Sequence, residues 1–150
     1  MGMSLKTELQ EALKEAMRAG DKRRKKTLRM ALAEIKNKEI EKGEELEDPA
    51  ILTVLQKEVK SRQEMIEGAE KAGRSDLIKE AEADIEILKE FLPQPLSHDE
   101  LRSLVREVVS EVGAESMADM GKVMGTLMPK IRGRADGKEA NEIVREILDS

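Results

Sequence analysis

Apolar residues in this chain recur every three or four positions, segment after segment, without the strict alternation that marks a strand. That spacing places them along one face of a helix. Charged residues make up 39% of the chain, and so high a share with few strand formers favours exposed helices over sheets. The sequence therefore predicts an all-α protein.

The core of this protein has to be built almost without aromatic side chains, because Phe91 is the only aromatic residue. Leucine, isoleucine, valine, methionine and alanine are left to fill it. A chain of 150 residues is long enough to bury a sizeable core and accommodates one domain or two small ones.

Two prolines in three positions, Pro93 and Pro95, stop a helix and stiffen the chain between two helical regions. We place a domain boundary there. The sequence predicts an N-terminal helical domain of about four helices in residues 1–93. A C-terminal domain of about three helices is predicted in residues 97–150.

Capping and stop signals mark the predicted helices. Ser4, Asp21, Asp48 followed by Pro49, Ser75 or Asp76, Ser97 with Glu100, and Asp136 are predicted starts. Gly20, Gly73, Gly113 and Gly133 are predicted stops.

Several kinds of catalytic and metal chemistry lack their residues here. The chain has no cysteine, which removes disulfides, thiolate nucleophiles and zinc–thiolate sites. His98 is the only histidine, and its place beside Ser97 and two prolines indicates an exposed linker residue. A glycine-rich strand-to-helix phosphate loop is also missing. We therefore predict no catalytic residue, no metal site and no cofactor.

Apolar runs in the sequence are too short to span a bilayer, which needs ~20 residues. The amino terminus lacks the apolar stretch of a secretory signal. The sequence predicts a cytoplasmic protein that does not contact membranes.

The formal net charge of −5 means that any binding to nucleic acid must come from a local basic patch. One candidate is a basic stripe, which falls within one arc of a predicted helix and consists of Lys22, Lys25, Lys26, Arg29 and Lys36. The alternative, which we favour here, is a solvated face paired with the acidic segment from Glu44 to Glu90.

A second basic cluster lies between Asp119 and Asn141, and its cations are Lys122, Lys130, Arg132, Arg134 and Lys138. The segment from Gly133 to Gly137 leads into a helix start, where backbone N–H groups beside cations suit a phosphate. A structural interpretation, with a helix stop at Gly133 and a cap at Asp136, is compatible with that site.

Glycines and methionines within the same region have structural explanations that we prefer. Gly121 and Gly125 each cost a helix about 1 kcal/mol relative to alanine, which predicts tight packing against another backbone. A methionine series suits either an adaptable interface or the core, and we favour the core for Met117, Met120, Met124 and Met128.

Longer motifs in the chain resemble a known family. Residues 119–141 read Asp-Met-Gly-Lys-Val-Met-Gly-Thr-Leu-Met-Pro-Lys-Ile-Arg-Gly-Arg-Ala-Asp-Gly-Lys-Glu-Ala-Asn. Other matching segments are Leu28-Arg29-Met30, Ile35-Lys36-Asn37-Lys38-Glu39-Ile40-Glu41-Lys42, Gln56-Lys57-Glu58-Val59 and Phe91-Leu92-Pro93. Over almost the whole chain these segments closely resemble the GatB/YqeY family, and in particular its small stand-alone YqeY branch.

The resemblance implies two helical lobes, the second similar to the carboxy-terminal tail of an amidotransferase B subunit. That enzyme converts misacylated Glu-tRNA(Gln) or Asp-tRNA(Asn) to the amide form, and its tail is associated with tRNA binding. Carried over by position, the shared motif contains Lys122, Lys130, Arg132, Arg134 and Asn141. The family also implies carbon–nitrogen ligase activity with glutamine as the amido-N-donor. This chain departs from the pattern at Arg23, Lys25 and Lys26, where more apolar or small residues are expected, and at Ala140, where a larger aliphatic residue is expected.

Together, charge and resemblance predict an accessory factor of translation that binds tRNA or another structured RNA and is linked to tRNA-dependent amidation. Its predicted nucleic-acid-binding residues are Lys122, Lys130, Arg132, Arg134, Lys138 and Asn141. A protein partner from the amidotransferase or aminoacyl-tRNA synthetase machinery is also expected. The alternative is a protein-interaction module without a nucleic-acid ligand. A stand-alone enzyme ranks last, because no catalytic constellation is visible.

Overall fold

A computed structural model describes residues 3–149, and within that range all regular secondary structure is helical. The predicted all-α class is confirmed. The chain separates into two compact units, one ending at Pro93 and the other beginning at Gln94. None of the helices in this range is long and apolar enough to cross a membrane.

The first unit contains four helices, which are α1 (Leu5–Ala19), α2 (Lys22–Lys42), α3 (Asp48–Ala72) and α4 (Ser75–Lys89). Side chains of Ser4 and Asp21 cap α1 and α2 as predicted, each accepting a backbone N–H three residues later. The helix-ending glycines adopt left-handed backbone angles that favour glycine, with φ of 69° at Gly20 and 67° at Gly73.

Starts of α3 and α4 differ from the predictions by one residue. Glu47, not Asp48, takes the cap position of α3, and its side chain makes no capping hydrogen bond. The Asp48 carboxylate instead accepts the backbone N–H of Leu5 at 2.9 Å, so it holds the start of α1. Arg74 precedes α4, and its guanidinium donates to the Asp76 carboxylate at 2.8 Å and 3.0 Å. A tertiary contact therefore engages the Asp48 carboxylate, and a local ion pair engages that of Asp76.

Apolar side chains from all four helices form the core of the first unit, and its largest fully buried members are Leu9, Leu28, Ile35, Ile51, Leu55 and Leu88. Phe91 packs against this core while partly buried, with the Arg24 guanidinium 5.9 Å from the centroid of its ring. The only aromatic residue therefore lies at the edge of the core, and aliphatic side chains fill the interior.

A buried polar cluster lies among α2, α3 and α4. Asp84 accepts from the Thr27 hydroxyl at 2.9 Å, from Arg23 Nη1 at 3.2 Å and from Arg62 Nε at 3.5 Å. The Arg62 side chain is only 7% exposed and also pairs with Glu58. No buried side-chain nitrogen or oxygen in residues 3–149 lacks a hydrogen-bond partner. The cluster is therefore fully satisfied and joins three helices.

Another ionic contact joins the end of α2 to α1. The Glu39 carboxylate accepts from Lys6 Nζ at 2.9 Å and from the backbone N–H of Leu46 at 2.9 Å. The Leu46 N–H, followed by the Lys6 ammonium, holds the pKa of Glu39 below its usual value. The Glu39 carboxylate therefore binds partners within the first unit.

The second unit contains α5 (His98–Val112), a short 3-10 turn (Met117–Asp119), α6 (Met120–Ile131) and α7 (Gly137–Asp149). The predicted Ser97–Glu100 capping box is present at the start of α5. His98 is exposed as predicted but is the first residue of α5, and its Nδ1 lies 3.0 Å from the Glu139 carboxylate. A separate aliphatic core fills this unit, with Leu101, Val105, Val108, Val123, Leu127, Ile131, Ile143 and Val144 at its centre.

Candidate nucleic-acid interface

The predicted nucleic-acid-binding residues all lie on or between α6 and α7, in the second unit. Lys122 and Lys130 stand near the two ends of α6, and Arg132 follows its last residue. Arg134 lies in the connecting loop, whereas Lys138 and Asn141 belong to the first turns of α7. Their hydrogen bonds separate them into residues already engaged within the unit and residues that face solvent.

Arg134 is the most engaged of the six. Its Nε donates to the carbonyl of Gln94 at 2.9 Å, and its own carbonyl accepts the backbone N–H of Leu96 at 2.9 Å. It also borders a shallow groove whose wall carries Asp99, Glu100 and Glu107. Because these contacts hold the segment before α5 and place carboxylates beside the guanidinium, a structural role accounts for this arginine.

Backbone donors in the predicted phosphate loop have acceptors within the protein. The N–H groups of Arg134 and Ala135 donate to the carbonyl of Ile131 at 2.8 Å and 3.0 Å. The N–H of Lys138 donates to the predicted capping residue, Asp136, whose Oδ1 lies 3.2 Å away. The loop therefore forms a helix stop and a helix start, and these three donors do not point to a phosphate.

Two further members of the predicted set have partners on neighbouring turns or helices. Lys130 pairs with Glu111 of α5 at 3.1 Å, and both side chains are largely exposed. The side-chain oxygen of Asn141 accepts from Arg145 Nε at 2.8 Å. Exposed pairs of this kind contribute about 0–1 kcal/mol, so an incoming phosphate can compete with Glu111 for the lysine.

Lys122, Arg132 and Lys138 are the solvent-facing cations of the set. All three are exposed, and none forms an ion pair within residues 3–149. Lys122 acts at longer range on Asp119, whose pKa is lowered mainly by the backbone N–H groups of Glu115 and Ser116 and to a lesser degree by this lysine. These three positive charges remain available to an external anion.

Gly121 and Gly125 do not pack against another backbone, and our prediction of tight packing was wrong. A Cβ atom added at either position meets no other atom within 4 Å, and both residues are exposed. At about 100° per residue, Gly121, Gly125 and Pro129 share one side of α6. The buried residues Val123, Leu127 and Ile131 lie on the other side.

We call this side, with its three small residues, the α6 glycine face. Lys122 and Arg132 flank it, and the first turn of α7 packs beside it, because a Cβ at Gly137 would lie 3.3 Å from Met128 Cε.

Packing accounts for most of the methionines in this region. Met120, Met124 and Met128 lie partly buried against the core, whereas Met117 is 39% exposed. The core interpretation thus holds for three of the four methionines.

Replacing Gly121 and Gly125 with alanine should stabilise the protein, because alanine suits a helix interior better than glycine by about 1 kcal/mol. The full gain is expected at Gly125, and a smaller one at Gly121, the second residue of α6. Both glycines have ordinary helical angles and open space around the missing side chain. Denaturant unfolding of G121A, G125A and the double variant measures the gain. Gly137→Ala is the matched control, because its new methyl group would press on Met128. A loss of stability in the double variant would contradict this arrangement.

One cation of this surface, Arg145, was not predicted from the sequence. Arg145 is exposed on α7, four residues after Asn141 and seven after Lys138, so all three share one side of the helix. The spacing alone identifies it once the start of α7 is known, since Gly137 begins the helix and sets its phase.

The basic stripe of α2 also differs from its favoured interpretation. The acidic α4 region does pair with α2, but through Arg23 and Arg24, which contact Glu80, Asp84 and Glu90. No member of the stripe forms an ion pair anywhere in residues 3–149. Ion pairs within the first unit thus account for the two arginines beside the stripe. They do not account for the positive charge of the five residues of the stripe.

Comparisons with known proteins show which family the chain resembles. The family model described as "Yqey-like protein" matches residues 6–148. "Altered inheritance of mitochondria protein 41, mitochondrial" from Lachancea thermotolerans is 42% identical over 87 residues, covering 57% of this chain and 46% of that protein. The protein of the same description from Eremothecium gossypii is 36% identical over 85 residues, covering 56% and 46%.

An uncharacterized protein of Schizosaccharomyces pombe is 32% identical over 95 residues, covering 63% of this chain and 77% of that protein. The matched region spans a little under half the length of the two relatives named for mitochondria. The family match, in contrast, runs through both compact units. The chain belongs to the YqeY-like protein family.

Proposed function

We propose that this protein binds structured RNA of the tRNA kind and serves as an accessory factor in tRNA-dependent amidation. The observation that carries the proposal is the group of exposed cations around the α6 glycine face, Lys122, Arg132 and Lys138, which form no ion pair within residues 3–149. They stand in the motif that resembles the tail of the amidotransferase B subunit. The link to amidation rests on that resemblance, and the cations supply the affinity for an anion.

Recognition on this surface would depend on phosphates and shape. Unpaired bases stack chiefly on aromatic side chains, and the only one, Phe91, belongs to the first unit. The α6 glycine face projects no side chain beyond Cα at Gly121 and Gly125, so a sugar–phosphate backbone can approach the helix closely between Lys122 and Arg132. Close approach strengthens the attraction of both cations.

The proposal assigns recognition, not the carbon–nitrogen ligase reaction, to this chain. Transfer of an amide group requires an activated acyl group and a source of ammonia, and the surface described above offers cations and backbone. A partner protein of the amidotransferase or aminoacyl-tRNA synthetase machinery would catalyse the carbon–nitrogen ligase reaction. The cytoplasmic location remains a prediction, and two of the similar proteins carry mitochondrial names.

A titration of labelled tRNA with the full chain at several salt concentrations tests the proposal. Reversal of Lys122, Arg132 and Lys138 to glutamate should weaken binding at least about tenfold and reduce the slope of log K against log salt by about two, because each neutralised phosphate contributes roughly 0.7–0.9 to that slope. The matched control reverses Lys57, Lys71 and Lys89, three exposed lysines without ion pairs in the first unit.

Equal binding by the C-terminal variant and by its control would remove the α6 glycine face from the RNA-binding surface. Failure of the unmodified protein to bind tRNA at low salt would contradict the proposed function itself. A partner that is retained after complete nuclease treatment would instead support the protein-interaction module.

A further inference from the structure

Cations of α2 are of two kinds in this structure. Arg23 and Arg24 face the acidic helix α4, where they pair with Asp84 and Glu90. The other kind forms no ion pair within residues 3–149, and its members are Lys22, Lys25, Lys26, Arg29 and Lys36. Lys25 is half-buried, and the other four are exposed. We call these five residues the α2 basic face.

The carboxylates of α2 do not compensate this face. Glu34 and Glu41 both lie within ion-pair distance of Lys38, at 4.0 Å and 3.8 Å. Glu39 is committed to Lys6 and to the Leu46 backbone. At about 100° per residue, the five cations occupy an arc of roughly 100° that contains no acidic residue of the helix.

Like charges crowded in this way oppose the helix that carries them. Lys22 and Lys26 stand four residues apart, as do Lys25 and Arg29, and each such pair costs about 0.2–0.5 kcal/mol. The first turn of α2 contains four cations and no acidic residue, and the capping carboxylate of Asp21 offsets only part of their repulsion from the positive end of the helix dipole. An external anion along this face would relieve both repulsions at once.

The geometry favours an extended polyanion over a lipid surface. Lys22 and Lys36 are separated by about 21 Å along the axis at 1.5 Å per residue, so the face presents a line of charges. A helix that lies in a membrane inserts its apolar side. The side of α2 that carries Leu28 and Ile35 is buried in the core, with these residues 0% and 1% exposed. The large apolar residues of α2 that are exposed, Met30 and Ile40, lie ten positions apart and form no continuous apolar side.

We propose that the α2 basic face is a second RNA-binding surface, which holds the phosphate backbone along the first unit. This inference rests on the proposed function, because it takes RNA to be the ligand of the protein. Lys25 and Lys26 stand where the resemblance implies more apolar or small residues, so we infer that this surface is in part particular to this chain.

The test compares three variants of the full chain in the tRNA titration. One changes the five residues of the α2 basic face to glutamine. The matched control changes five other exposed, unpaired lysines of the same unit to glutamine, namely Lys42, Lys57, Lys71, Lys79 and Lys89. The third is the C-terminal triple reversal. Each variant loses positive charge without touching a buried side chain, and circular dichroism checks its folding.

We expect the α2 variant to bind tRNA at least about tenfold more weakly, with a salt slope smaller by about four, and the control to change affinity less than about threefold. Equal affinities and slopes for the α2 variant and its control would overturn the inference. A loss confined to the C-terminal variant would do the same while leaving the proposed function intact. Absence of tRNA binding by the unmodified chain would overturn both.

Vesicles that contain anionic phospholipid serve as the second probe. If the unmodified chain binds these vesicles through the α2 basic face and does not bind tRNA, a membrane surface is the ligand and the RNA inference is wrong. A variant restricted to Lys25→Gln and Arg29→Gln repeats the comparison with less change to the helix, and it should show a proportionally smaller loss of slope.

Discussion

Replacement of Arg62 by alanine is expected to lower the free energy of unfolding by about 3 kcal/mol, because it leaves the Glu58 carboxylate without its partner and removes one of the three donors to Asp84. Arg62 is 7% exposed and pairs with Asp84 and Glu58, which are themselves only 15% and 20% exposed. Water reaches these carboxylates poorly and cannot take the place of the lost guanidinium. Urea unfolding followed by circular dichroism measures the effect.

Arg74→Ala is the matched control for this substitution. Arg74 also contacts a carboxylate, that of Asp76, but both side chains are more than half exposed, and removing such a pair costs about 0–1 kcal/mol. Combined replacement of Arg62 and Asp84 by alanine should cost less than the sum of the single replacements, because the contact between the two side chains is then lost only once. Additive effects would mean that the two residues do not act as a pair.

Replacement of Leu127 by alanine is expected to destabilise the second unit by about 2–5 kcal/mol while leaving the first unit unaffected. Leu127 is completely buried at the centre of the second core, where its removal leaves a cavity. The two cores have no residue in common, so we propose that each unit unfolds on its own. Hydrogen exchange should show faster exchange within residues 97–149 only.

Leu55→Ala supplies the reciprocal experiment. This leucine is completely buried in the first core, so its replacement should accelerate exchange in α1–α4 and leave α5–α7 protected. Equal acceleration in both units, by either substitution, would show that the chain unfolds as one cooperative body and would contradict the proposed independence of the domains.

Local signals were sufficient to predict most of the helices. Ser97 and Glu100 satisfy each other's backbone groups within one turn, and Gly20 needs only its own left-handed conformation to end α1. The role of Asp48, in contrast, could not be predicted from local signals. Its carboxylate binds Leu5, 43 residues away in the chain, and that contact depends on how α1 meets α3.

In the candidate interface, too, some features follow from the local sequence and others depend on distant contacts. Exposure of Lys122, Arg132 and Lys138 follows from their distance from the apolar side of each helix, which the sequence contains. The engagement of Arg134 with Gln94, and the burial of Arg62, depend on which distant segment packs beside them. Charge counts treat Arg23 and Lys22 alike, although only the first faces the carboxylates of α4. Open space at Gly121 likewise follows from the position of its neighbours.

The solitary aromatic side chain has an optical consequence. Without tryptophan or tyrosine, the protein contributes almost nothing to near-ultraviolet absorbance or emission, so such signals from a mixture with tRNA come from the nucleic acid. Tryptophan at position 91 would introduce a single fluorophore at the edge of the first core, beside the Arg24 guanidinium. Its emission would follow the first unit alone and give α2, the helix of Arg24, a spectroscopic reporter during RNA binding.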